Sequence, residues 1–172
     1  MFITIVTRGK GMKNSMFLDS IKEHFFETFT LLEKIIEICP EGLWNSKKSG
    51  FVFWQQLMHT FAGMYGWLRD EKLGYIPFNE INGKKIFIEF DNDPEIILSK
   101  EDVKKYCNET RESIEKWFSG KDDEWLKLPY KIYNKWTNFS TTMGQIKHMM
   151  YHIGYCDSIF RENGMEKGVW NE

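Results

Sequence analysis

Phe17, Leu18, Ile21, Phe25, Phe29, Leu32 and Ile35 recur three and four residues apart, the spacing that lines one face of a helix. Ser15 stands just before this stretch and Pro40 just after it, so the pattern predicts a first helix over residues 16–38. A second stretch opens at Ser49 and reads GFVFWQQLMHTFAGMYGWLRDEK. It is apolar nearly all round, as expected of a helix packed deep in a helical core. Residues 73–98 break the pattern with Pro77, the turn pair Asn82-Gly83 and Pro94, and hold one short β-like run, KKIFIEF. A connection of this length in a small domain needs a reason. If the second and third helices are parallel neighbours, the chain must travel the length of the bundle between them.

Ser99 and Asp102 form an S-x-x-D capping signature at the head of the third helix. Its register sets Val103, Cys107, Ile114 and Phe118 on one side, and Gly120 marks its end. An aromatic stretch with Trp125, Pro129, Tyr133 and Trp136 follows; Ser140 and Thr141 then offer hydroxyls to cap a last helix, which Gly164 stops. Four long helices without internal repeat or low-complexity segment predict an all-α, single-domain chain over residues 15–172, preceded by a tail over residues 1–14. The tail's one apolar run, Phe2 to Val6, is too short for a signal-peptide core or a membrane span. Met12 and Met16 stand as alternative starts.

Composition narrows the function classes. At 172 residues and 42% hydrophobic content, the chain has material for one core. The formal net charge is -2, and no helical face concentrates Lys and Arg, so a nucleic-acid partner is not expected. Cys39, Cys107 and Cys156 are odd in number and lack CxxC spacing, which argues against a disulfide framework and a four-thiolate zinc site and points to a reducing cytoplasm.

The candidate chemistry lies in GQIKHMMYHIGYCDSIFRENG, residues 144–164. His148 and His152 are four apart, about 40° around a helix and about 6 Å along it, so both imidazoles can reach one ion. In that register Lys147, Asp157, Ser158 and Arg161 share one arc, and Met149, His152, Tyr155, Cys156 and Ile159 the opposite one. The histidines therefore point inward, where each ring nitrogen needs a partner; a divalent cation satisfies both rings, and so do ordinary core hydrogen bonds. Spacing leaves the two readings open. A catalytic zinc-type site takes three protein ligands and keeps one position open. His59, amid Gln55, Gln56, Ala62, Gly63 and Gly66, is one candidate third ligand. Cys156 is a second, although a small buried core residue is its commoner role. His24, beside Glu23 and Glu27, reads as a partly exposed histidine.

KHMMYHIGYCDSIFRENG resembles the last-helix signature of the DinB/YfiT-like superfamily, in which H-x-x-x-H is followed by a Gly, then an Arg and a Gly near the helix end. Here these are His148, His152, Gly154, Arg161 and Gly164. FWQQLMHTFAGMYGWL is similar to that family's second helix. The resemblance spans about residues 15–165 and implies an up-down-down-up four-helix bundle with a long crossover between helices two and three. It implies a divalent metal, nickel or zinc, held by His59, His148 and His152, and a homodimer. The commonest family form has Arg-Gly-Gln after the last histidine, where this chain reads Ile153-Gly154-Tyr155, so the pocket rim is not carried over.

Relatives of known reaction include S-transferases and isomerases that use mycothiol or bacillithiol. The resemblance thus implies a transferase that activates a low-molecular-weight thiol against a small-molecule substrate. A hydrolase using metal-activated water is the alternative on the same site, and a non-enzymatic metal-binding stress protein or interaction module with a closed site is the third reading. No side chain stands out in the sequence as a general base.

Overall fold

The computed structural model describes residues 15–47, 49–69, 77–166 and 168–170, and these are predominantly helical. The tail over residues 1–14 and the end of the second predicted helix, Asp70 to Lys72, lie outside the described residues. Four helices are long: α1 (Met16–Ile38), α3 (Phe53–Trp67), α4 (Lys100–Phe118) and α6 (Asn138–Glu162). Two short ones, α2 (Glu41–Trp44) and α5 (Asp123–Lys127), were not expected; each sits in a connection whose apolar residues, Leu43 and Trp44 in α2 and Leu126 in α5, are drawn into the core. Among the described residues no helix is long and apolar enough to cross a membrane.

α1 matches the predicted span and buries Leu18, Phe25, Phe29, Leu32 and Ile35. Phe17 departs from the pattern and is 62% exposed, because Leu18 takes the inward position in the first turn. α3 starts four residues later than Ser49, after a turn in which Gly50 has φ +88° and the Phe53 N–H bonds back to the Ser46 carbonyl at 3.2 Å. The Gln55 side chain then caps it, accepting from the Val52 N–H at 2.8 Å.

The long helices contact one another in a ring, α1 and α3 each lying against both α4 and α6. Contacts at the two ends fix which termini meet. Lys100 at the head of α4 donates to the Cys39 carbonyl just past α1, at 2.5 Å, while Trp44 joins the Leu98 carbonyl and packs on Phe53 at the head of α3. Phe53 also stacks on Phe160 near the tail of α6. At the opposite end, the Leu18 N–H donates to Asp123 and the Asn138 side chain to the Trp125 carbonyl.

The crossover between α3 and α4 obeys its turn signal only in part. Glu80–Ile81 (β1) and Lys84–Lys85 (β2) form a two-residue antiparallel ladder around Asn82 (φ 51°) and Gly83 (φ 76°), the left-handed pair of a tight hairpin. The expected β-like run stops at Lys85. Ile86 and Ile88 are buried, but Phe87 (φ 48°) and Phe90 (φ 62°) take left-handed conformations that a strand does not accommodate, each costing about 1–3 kcal/mol. The buried Gln55 amide holds this path by donating to the carbonyls of Ile86, Phe87 and Asn92 at 3.0, 3.2 and 3.3 Å.

α4 begins as its signature predicts, with Ser99 and Asp102 capping each other's backbone N–H groups at 3.1 and 2.9 Å. α6 begins earlier than Ser140 and Thr141 suggest. Thr137 is its cap, accepting from the Ser140 N–H at 3.1 Å. Its end is a paired closure at Gly164 (φ +81°), where the Gly164 and Met165 N–H groups reach the Arg161 and Phe160 carbonyls. Asp157, expected on the outward arc, is buried, because its carboxylate accepts from Val169 N–H at 2.7 Å and Arg161 Nε at 2.8 Å and so ties the chain's last described residues to α6.

The two ends of the α1 stripe give opposite expectations. Phe25→Ala lowers unfolding free energy by about 3–5 kcal/mol, the range for an emptied aromatic core site, whereas Phe17→Ala changes it by less than about 1 kcal/mol. Urea unfolding followed by circular dichroism measures both.

Candidate metal centre

α3 and α6 are packed neighbours, and their contact brings together the three histidines singled out in the sequence. His148 Nε2 lies 3.2 Å from His59 Nε2 and 2.9 Å from His152 Nε2. One ring nitrogen from each residue falls within 4.8 Å of the others, close enough to bind a metal ion. Nitrogens about 2.0–2.1 Å from a tetrahedral ion stand about 3.3–3.4 Å apart, so the two separations to His148 need only a few tenths of an ångström of adjustment. His24 is exposed, pairs with Glu27 at 3.2 Å and takes no part. Cys156, the other candidate ligand, is fully buried in the apolar core and outside the cluster, and burial pushes its thiol pKa far up.

Proton counting shows how the rings fit a cation. His59 Nδ1 is 2.8 Å from the Ile88 carbonyl; only an N–H can meet that oxygen, so His59 Nε2 carries a lone pair. The Gln56 amide nitrogen contacts His152 Nδ1, which puts the His152 proton on Nε2, facing His148. His148 Nε2 accepts it, leaving two lone pairs opposed between His148 and His59. His148 Nδ1 is buried and has no hydrogen-bond partner among the described residues. Three rings with one shared proton thus leave one repulsive pair, which a cation removes. Turning the Gln56 amide over sets its oxygen against a His152 Nδ1–H and frees the third Nε2 lone pair.

Backbone and small residues shape the cluster. Gly63, one turn beyond His59, lies against His148: a Cβ there would stand 2.7 Å from His148 Cε1. The glycine is therefore required by a close approach and not by its φ. Phe90 packs on the His59 ring with centroids 5.1 Å apart. Of the polar residues that surround His59 in the sequence, Gln55 anchors the crossover and Gln56 contacts His152.

His59 and His148 line a cleft of about 310 Å³, at the small end of small-molecule sites. Ala62, Ile88, Trp67 and Trp136 form its apolar wall, the two indoles 5.6 Å apart. Its polar members are Gln145, 7% exposed with Oε1 unpartnered among the described residues, and Glu89, whose carboxylate is 4.0 Å from His59 Nδ1. Neither was singled out in the sequence. Gln145 carries a readable signal, three residues before His148 and hence on its face of α6. Glu89 carries none, since the irregular backbone around it sets its direction.

Burial, and then the neighbouring imidazoles, lower the His148 pKa to about 4 and that of His152 to about 3, from an ordinary 6.5. Both are neutral at pH 7. As pH falls below 6.5 the unfolded chain takes up these protons before the folded one, so stability declines towards pH 3 and is indifferent to the pair above about pH 7. Metal-free protein is therefore expected to melt at falling temperature from pH 7 to pH 4, and the double variant His148→Gln, His152→Gln to lose part of that slope in calorimetry. Comparison with protein-family models, with curated proteins and with solved structures finds no match for this chain, so the reading of the site rests on its own geometry.

Proposed function

We propose that the protein is a divalent-metal-dependent enzyme built on a DinB-like, up-down-down-up four-helix bundle, with His59, His148 and His152 as ligands of zinc or nickel. The observation that carries the reading is the convergence of three Nε2 atoms at the wall of an apolar cleft that two of the rings line. The end contacts support the topology: α4 begins where α3 begins and where α1 and α6 end. That arrangement makes α3 and α4 parallel neighbours and gives the crossover its length.

The reaction favoured is transfer of a low-molecular-weight thiol to a small, mostly apolar electrophile. A divalent ion held by these three neutral imidazoles would keep its full charge and would lower the pKa of a bound thiol, ordinarily about 8.5, or of a bound water. The chain's own residues do the rest. Trp67, Trp136 and Ile88 present an apolar wall to the incoming molecule, and the Gln145 amide, whose Oε1 has no hydrogen-bond partner among the described residues, orients it by hydrogen bonding. The Ile88 carbonyl holds His59 in the tautomer that presents Nε2, and the Gln56 amide does the same for His152 once turned to set its oxygen on Nδ1–H. Hydrolysis is the second reading, favoured by the Glu89 carboxylate at the cleft rim, a base for water. A structural site closed by Cys156 is not favoured, since that thiol lies in the core.

Elemental analysis is expected to give one divalent ion per chain in the wild type and in His24→Ala, and loss of it in His59→Ala, His148→Ala and His152→Ala. Full occupancy in His59→Ala would show the ligand set to be wrong. Gln56→Leu weakens metal binding about 10–100-fold. Gly63→Ala favours the helix by up to about 1 kcal/mol yet displaces His148, so metal affinity falls while helicity holds.

Chelation is expected to lower the melting temperature without abolishing helical circular dichroism, because the core persists without the ion. The stabilisation lost is about 4 kcal/mol at a thousandfold excess of metal over Kd. For the reaction, holo protein with bacillithiol, glutathione or coenzyme A and monochlorobimane is expected to form conjugate. A rate no faster than that of His152→Ala with every thiol would reject thiol transfer.

A further inference from the structure

A second cavity lies away from the histidines, at the end of the molecule where the N-terminus of α1 meets α5 and the head of α6. It is a groove of about 680 Å³ whose apolar surface comes from Phe17, Ile21, Leu126 and Phe139. Phe17 and Phe139 are exposed, at 62% and 45%. Asp123 also lines this groove and is only 7% exposed. Its Oδ1 accepts from the Leu18 N–H at 2.9 Å, in the first turn of α1. Its Oδ2 is buried and has no hydrogen-bond partner among the described residues.

Charge is equally unbalanced there. The groove's other ionic groups, Glu124 and Lys127, pair with each other at 2.6 Å and neutralise one another. The α1 N-terminus offsets part of the Asp123 charge through its helix dipole and the Leu18 N–H. What remains is a net negative groove with one acceptor oxygen short of a donor, framed by aromatic and aliphatic surface. A buried carboxylate oxygen without a donor is unfavourable, and a ligand that brings an N–H and a positive charge satisfies both needs.

We infer that this groove is a binding site for a small organic ammonium: the cation pairs with the Asp123 carboxylate at the groove wall while its apolar body lies between Phe17 and Phe139. A charged donor is preferred over a neutral one because hydrogen bonds between ionised partners are about twice as strong, and an aromatic body adds ring contacts with the two phenylalanines. The site is independent of the metal centre and of the reaction proposed for it.

The test compares three probes of one shape on the full-length protein by titration calorimetry: phenethylammonium, 2-phenylethanol and 3-phenylpropionate. Phenethylammonium is expected to bind about tenfold or more tighter than the alcohol, and the acid not measurably. Asp123→Asn keeps an acceptor for the Leu18 N–H, so the variant folds, and the preference for the amine over the alcohol is expected to drop to about one. Phe139→Ala is expected to weaken all binding while keeping that preference. Equal affinity for amine and alcohol in the wild type would overturn the assignment, as would a preference unchanged by Asp123→Asn. So would a dimer in sedimentation that Phe139→Ala converts to monomer, because a second copy of the chain would then cover the groove.

Discussion

Packing α3 against both α4 and α6 leaves its polar side chains almost no water, and that constraint organises the rest of the molecule. A polar group in such a position must find a partner inside the protein or cost stability. Gln55 finds three carbonyls of the crossover, Gln56 finds His152, and His59 finds the Ile88 carbonyl and the facing imidazole. One buried helix thereby fixes the path of the crossover, the orientation of α6 and the meeting point of the histidines. Fold and site share the same few hydrogen bonds.

Much of this was legible in the pattern of residue types. The α1 span, the Ser99–Asp102 cap, the inward turn of His148 and His152, the exposed His24 and the stop at Gly164 all follow from local rules of spacing and capping, which act over one or two helical turns. The misreadings share a different cause. Asp157 is buried by a backbone N–H twelve residues away, Ser49 is held out of α3 by a turn back to Ser46, and KKIFIEF leaves its ladder because Gln55 captures its carbonyls. Each depends on a partner distant in sequence or in backbone form, and no periodicity encodes that. Glu89 is invisible for the same reason, while Gln145 could have been found from its spacing to His148.

The imidazole cluster couples packing to chemistry through burial. Withdrawal from water keeps His148 and His152 neutral far below their ordinary range, and neutral rings are the form in which nitrogen lone pairs are available. The same packing sets the His148 lone pair against that of His59. The arrangement is therefore less comfortable as a hydrogen-bonded core than as a ligand set, which distinguishes it from solitary buried histidines such as a helix interior commonly holds.

The contact that orients His59 is made by a main-chain oxygen, and this has a consequence for inheritance. No replacement of the Ile88 side chain can delete that carbonyl, so variation at position 88 alters the cleft wall but not the acceptor that holds His59. The heritable control passes instead to Phe87 and Phe90, whose left-handed backbone sets where the oxygen points. In a lineage of such chains, drift towards glycine or asparagine at Phe87 would relax the loop's geometry and leave the histidines' own contacts in place, whereas at Phe90 it would also remove the ring packed on His59. The positions that record selection on the centre would then lie outside the three histidines.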